Sequence, residues 1–119
     1  MLTFSQDDQL ISPKGTEHYY KAVTARDANI HDFFRYFEIP GFGHCSGGSS
    51  SLPASLFGQM RTWVENGTAP DSTPFQVTLS DGTKHDRIAC VYPQKARLDV
   101  CDDPADVACW SCGESMDEL

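Results

Sequence analysis

No stretch of this 119-residue chain is long and apolar enough to cross a bilayer as a helix, so a membrane partner is not expected. Basic residues are scarce: 9 Lys and Arg stand against 17 Asp and Glu, a formal net charge of −8. That balance argues against nucleic acid or any other polyanion as a partner, since such ligands need clustered cations. It does not select a substrate. Internal repeats and a clear linker are absent. Ser46, Ser49, Ser50 and Ser51 all lack the strand-turn-helix context that a nucleophile elbow requires. Asp99, Asp102, Asp103 and Asp106 lack the glycine and ligand spacing of a calcium loop and read as a solvated acidic segment. Met116-Asp117-Glu118-Leu119 has the wrong first residue for an ER-retention tail.

The most informative stretch is Gly41-Phe42-Gly43-His44-Cys45-Ser46-Gly47-Gly48, which follows the apolar run Phe33 through Pro40. A run of that kind reads as a buried strand. Glycines on both sides let the backbone turn sharply and leave the imidazole uncrowded. A histidine presented at a strand end suits general base work, because its ordinary pKa lies near working pH. The competing reading is a satisfied surface histidine in a flexible loop.

Upstream, Met1 to Phe4 reads as a short strand, Ser5 to Asp8 as a polar loop, and Thr16 to Val23 as a helix capped by Thr16. Strand, acidic loop, helix, strand, histidine loop, helix is the order of an open α/β sheet, whose sites form at the carboxyl ends of strands. Asp8 and His44 then fall on neighbouring loops at one end. An acid followed by a histidine is also the chain order of the last two triad members in an α/β-hydrolase.

Beyond the histidine loop, Pro53 to Asn66 reads as an amphipathic helix, with Leu56, Met60, Trp63 and Val64 as its core face and Gly67 at C′. Asn66-Gly67-Thr68 is a glycosylation sequon, meaningful in a secreted chain. Phe75–Leu79 and Lys84–Tyr92 flank Ser80-Asp81-Gly82-Thr83, a hairpin signal carried by the Asp-Gly pair. His18, His31 and His85 have no partner suggested by the sequence and read as surface residues. A chain of this length buries a core inefficiently. Its short apolar strands near Phe4 and Phe37 would invite aggregation if left as edges.

Five cysteines in so short a chain point to an oxidising compartment. Cys109-Trp110-Ser111-Cys112 also has zinc-ligand spacing, but Cys90 and Cys101 are too far apart to supply a second tight pair. The strand that precedes a thioredoxin-type redox motif is missing. Disulfides are the favoured reading, and zinc stays open.

Three stretches resemble the C-terminal part of the tannase and feruloyl esterase family of α/β-hydrolases. Asp8 through Thr16, with Tyr19-Tyr20, resembles the catalytic-acid loop and its helix. Ile39 through Gly48 resembles the histidine loop, whose signature ends in His-Cys. Trp63 through Asp71 and Cys90-Val91-Tyr92-Pro93-Gln94 resemble the helix and the cysteine-bearing strand beyond it.

The resemblance implies residues 1–119 as the C-terminal portion of one catalytic domain, an α/β-hydrolase sheet followed by a disulfide-stapled β-hairpin tail. The family's Gly-Cys-Ser-x-Gly-Gly-like elbow is not in these residues, nor is the lid with its calcium site, so no cofactor is expected within this chain. His44 would be the general base and Asp8 the catalytic acid. Asp7 stays an alternative, because Ser5-Gln6 stands where the family has His-Gly. Cys45 would pair with a cysteine beside the upstream serine, Cys90 with Cys112, and Cys101 with Cys109. The expected partner is a small ester of a phenolic acid such as ferulate or gallate, and the chain alone is expected to be inactive. Secretion is expected, and no signal peptide is expected within this chain ahead of the first strand, since Met1 already sits inside the family pattern. The alternative is a non-catalytic, disulfide-stapled secreted domain derived from the same fold.

Overall fold

The structure is a computed structural model that describes residues 2–5, 12–43 and 48–114. Strands β1 (Leu2–Ser5) and β2 (Tyr36–Ile39) pair in parallel, with Leu2 opposite Tyr36 and Ser5 opposite Ile39. Parallel neighbours need a crossover, and helix α1 (Pro13–Arg26) followed by a 3-10 turn at Ile30–Asp32 lies within it. The helix starts ahead of the expected Thr16 cap. Proline at the first helical position forgoes only an N–H that had no intrahelical acceptor, so Pro13 sets the start and Ser12 becomes the N-cap.

The apolar run also resolves differently from the expected strand. Phe33 and Phe34 both donate their amides to the Ile30 carbonyl, at 3.1 and 2.7 Å, which commits them to a turn and leaves Phe33 exposed. The strand therefore begins at Tyr36. Its other edge is covered as well: Phe37 bridges Val91, and the Tyr92 amide donates to the Tyr36 carbonyl at 2.8 Å.

Two clusters form the core, one on each side of this strand. Phe37, Ile39, Phe42, Phe75, Ala89 and Val91 make the first. Tyr20, Ile30 and Tyr36 make the second, with Val23, Phe34 and Tyr92 against them. Three tyrosine rings meet there at centroid distances of 5.2 to 5.6 Å. Buried hydroxyls need partners, and each has one. Tyr20 donates to the Phe34 carbonyl, Tyr36 to Glu38 Oε1 and Tyr92 to Glu17 Oε1, all at 3.0 Å. Burial pushes Tyr20 up to about 12 and raises Tyr36 and Tyr92 as well, so all three stay neutral donors at working pH. Glu17 is held below the usual carboxylate range, first by Lys21 at 3.0 Å and then by Tyr92 and Lys14. His31, expected at the surface, is half-buried instead. It stacks on Tyr20 at 6.3 Å, with Nε2 2.9 Å from the Tyr92 carbonyl.

Helix α2 (Leu56–Asn66) begins later than Pro53 and ends at Gly67, whose φ of 73° places it in the left-handed region. Its expected core face is only partly covered: Leu56, Met60 and Trp63 are half-buried, whereas Val64 and Phe57 are exposed by 78% and 76%. Strands β3 (Ser72–Thr78) and β4 (Lys84–Cys90) form the antiparallel hairpin, closed by Asp81-Gly82 with Gly82 at φ 87°. Along β3, Thr73 and Phe75 point inward while Pro74, Gln76 and Thr78 face out, the period of a half-buried strand. His85 is half-buried on β4, with Nδ1 3.5 Å from Arg87, rather than a free surface residue.

A second hairpin, β5 (Lys95–Leu98) with β6 (Trp110–Gly113), follows as the last element among the described residues. Cys90 is joined to Cys112, tying it to β4, and Cys101 to Cys109, closing the acidic loop. All four sulfurs are thereby committed, which removes the zinc alternative. The acidic loop is exposed, yet its carboxylates shape it. Asp103 and Asp106 accept the amides of Ala105 and Ala108 at 2.9 Å, and Asp99 accepts the Ser111 hydroxyl at 2.6 Å.

Two measurements check this architecture. Cleavage with trypsin and chymotrypsin without reduction should link the peptide of residues 88–95 to that of residues 111–119. The peptide of residues 98–110 should carry an internal bridge, and any other linkage contradicts the fold of the tail. The second concerns acid. A carboxylate whose folded pKa is lowered contributes stability above its ordinary pKa, here 4.5, and that stability is lost as pH falls through the folded value. The melting-temperature gap between the native protein and Glu17→Gln should be widest near neutral pH and should close below pH 4.5. A gap independent of pH would deny Glu17 this role.

Candidate functional site

Because Ser5 and Ile39 are register partners in a parallel ladder, the chain leaves β1 and β2 from the same end of the sheet. Asp7 and Asp8 follow closely after Ser5, and His44, Cys45 and Ser46 follow closely after Ile39. All five lie outside the described residues, so the ladder supplies their points of departure and not their contacts.

The neck of the histidine loop is fully described. Gly41 and Gly48 sit at φ 75° and 81°, and Phe42 bridges Gly48. The amides of Ser49 and Ser50 both donate to the Gly41 carbonyl, at 2.7 and 3.1 Å, and the Ser50 hydroxyl donates to the Pro40 carbonyl. A Cβ on Gly48 would run into the Gly41 carbonyl oxygen, so glycine is required there for close approach as well as for its dihedral. The exit segment, Ser49 to Ser51, is then fixed to β3. Ser49 accepts the Thr78 amide at 2.6 Å, and Ser51 donates its amide to Gln76 at 2.8 Å while its hydroxyl accepts the Gln76 amide at 2.9 Å. Ser49, Ser50 and Ser51 thus serve the backbone. Phe42, buried in the first core cluster, anchors the entry side.

Sequence reasoning missed Arg35, which stands at the entry to β2. Its Nε donates to the His31 carbonyl at 3.0 Å, while Nη1 reaches the Pro70 carbonyl at 2.9 Å and Asp71 Oδ1 at 2.6 Å. The guanidinium also lies 5.7 Å from the Trp63 ring centroid, so one side chain ties the turn before β2 to the end of α2 and the start of β3. A planar donor fork inside an otherwise apolar run was the available signal.

Beside the neck, a cleft of about 440 Å³ runs from Pro40 and Ser50 along Phe75, Val77 and Ile88 to Trp110. Arg87 packs over Trp110 at 4.7 Å from its centroid. Its walls suit an apolar group. Among the described residues, no group of three or more His, Cys, Asp and Glu is placed to hold a metal ion.

Comparison with known proteins gives this geometry its context. The family model for tannase and feruloyl esterase matches residues 1–112. The mono(2-hydroxyethyl) terephthalate hydrolase of Piscinibacter sakaiensis is 33% identical over 104 residues, covering 82% of this chain and 17% of that protein. Feruloyl esterase B of Aspergillus niger is 30% identical over 106 residues, covering 73% of this chain and 20% of its own length. The crystal structure of an esterase from Aspergillus oryzae superposes with a TM-score of 0.78 at 25% identity, over 94% of this chain and 27% of that one. The chain therefore spans about a fifth of the curated relatives it matches. Its structural neighbours are esterases of the α/β-hydrolase type. With the parallel ladder, the glycine-necked histidine loop and the match through residue 112 together, this chain belongs to the tannase and feruloyl esterase family.

Proposed function

We propose that these residues are the C-terminal portion of a secreted serine carboxylic ester hydrolase acting on esters of phenolic acids. They supply the base and the acid of its triad, and a serine from outside the 119 residues supplies the nucleophile. The observation that carries this reading is the in-register departure of the Asp8 and His44 segments from adjacent parallel strands, since a base and its orienting acid must converge from one sheet end. The names of the relatives point to aromatic acyl esters, feruloyl in one case and terephthalate in another. The two disulfides suit an exported protein.

In this mechanism, His44 removes the proton of the serine hydroxyl as the oxygen attacks the ester carbonyl. It returns that proton to the departing alcohol, then deprotonates the water that releases the acid. Asp8 accepts a hydrogen bond from the second ring nitrogen, fixing the tautomer and stabilising the imidazolium. Cys45, bridged to a cysteine beside the serine, holds base and nucleophile at a set separation. The clamped neck between Gly41 and Gly48 restricts how far the loop can drift.

In the intact protein, His44→Ala should lower kcat on methyl ferulate or methyl gallate by about 10⁴-fold or more, with the melting temperature unchanged. Asp8→Asn should cost on the order of 10³ to 10⁴-fold and Asp7→Asn little; the reverse ranking would make Asp7 the acid. The 119 residues alone should hydrolyse neither ester, and turnover by them would overturn the division of the triad. Gly48→Ala should cost roughly 1–3 kcal/mol of stability through its clash and dihedral, together with most of the activity. Gly82→Ala, at φ 87° with open space around it, should leave activity intact.

A further inference from the structure

We propose that Asn66 is an acceptor for N-linked glycan. The sequon Asn66-Gly67-Thr68 falls at the C-terminal end of α2, and the structure gives it three properties that such a site needs. Asn66, Gly67 and Thr68 are all exposed, so a glycan added before folding meets no core on completion of the fold. The left-handed Gly67 ends the helix there, its amide donating to the Trp63 carbonyl at 3.0 Å, so the acceptor stands at a chain reversal with no helix continuing past it. At 3.6 residues per turn, Asn66 falls on the side of α2 away from the exposed Phe57 and Val64. Further polypeptide packing on those two apolar residues therefore leaves Asn66 outward.

The modification is a group transfer. The Asn66 side-chain nitrogen forms a bond to the anomeric carbon of a lipid-pyrophosphate-linked oligosaccharide, and the bond from that carbon to the phosphate oxygen breaks, its electron pair staying with the oxygen. The lipid pyrophosphate leaves, and the amide proton passes to a base of the transferase. The compartment that performs this transfer also forms disulfides, and this chain carries two. The inference rests on the reading of the chain as secreted and is independent of its catalytic reading.

The test is to express the intact protein carrying these residues in yeast behind a secretion signal and to pool medium and membrane lysate, so that retention hides nothing. Digestion with peptide N-glycosidase in ¹⁸O-water is followed by mass spectrometry of the tryptic peptide of residues 62–84. The expected result is an ¹⁸O-labelled Asp at position 66 in the wild type and its loss in Thr68→Ala, whose gel mobility shifts by one glycan. Thr68→Ser should retain the label. Because Asn-Gly pairs deamidate spontaneously, a label equal in wild type and Thr68→Ala would be chemical in origin and would overturn the proposal. So would an unlabelled peptide in the wild type. Esterase activity is read in parallel: its loss in His44→Ala bears on the catalytic reading alone.

Discussion

Everything in this chain hangs on the burial of β2. Tyr36, Phe37 and Ile39 are wholly inside, and the strand is bonded on one edge to β1 and on the other to the segment at Val91 and Tyr92. A short strand is a weak element by itself, and its persistence comes from the apolar area its two faces remove from water. Successive side chains point to opposite faces, so Phe37 and Ile39 feed one core cluster and Tyr36 the other. Displacing this strand by one residue would exchange those faces, placing Glu38 where apolar residues now sit.

Polar chemistry secures what burial alone would leave adjustable. Three tyrosines fill the second cluster, and the partner of each hydroxyl sets its ring's position. Glu17 connects this cluster to the exposed face of α1 through Lys14 and Lys21. Surface ion pairs of that type contribute little individually. The bond from Tyr92 to Glu17 is partly shielded from solvent and fixes where α1 lies over the sheet. Arg35 does comparable work on the other side, where one guanidinium satisfies two backbone carbonyls and a carboxylate. The disulfide from Cys90 to Cys112 then carries that order into the tail.

Local chemistry was legible in the sequence where one residue dominates. Asp81-Gly82 marked the hairpin turn and Gly67 the end of α2, because both glycines occupy positive φ. Boundaries were misread where two signals competed, as with Pro13 against Thr16, or where apolar residues entered a turn, as Phe33 did. The core face of α2 was overestimated at Val64, since helical periodicity identifies an apolar stripe without saying what covers it. His31 was misplaced because its partners, Tyr20 and the Tyr92 carbonyl, are brought to it only by the tertiary fold. The pairing of the cysteines followed from family likeness and not from their spacing. Asp8 and His44 were picked out by motif alone and lie outside the described residues; the described backbone adds only that β1 and β2 finish at a common end of the sheet.

The tie between Gly41 and the Gly48–Ser50 segment has an evolutionary corollary. With Gly41 fastened to Ser49 and Ser50, and Ser49 and Ser51 fastened to β3, a change of length inside the loop is not passed on as a register error in β2 or β3. Descendants of one ancestral scaffold can vary the spacing around the histidine and cysteine that the proposed chemistry retains while inheriting the framework unaltered.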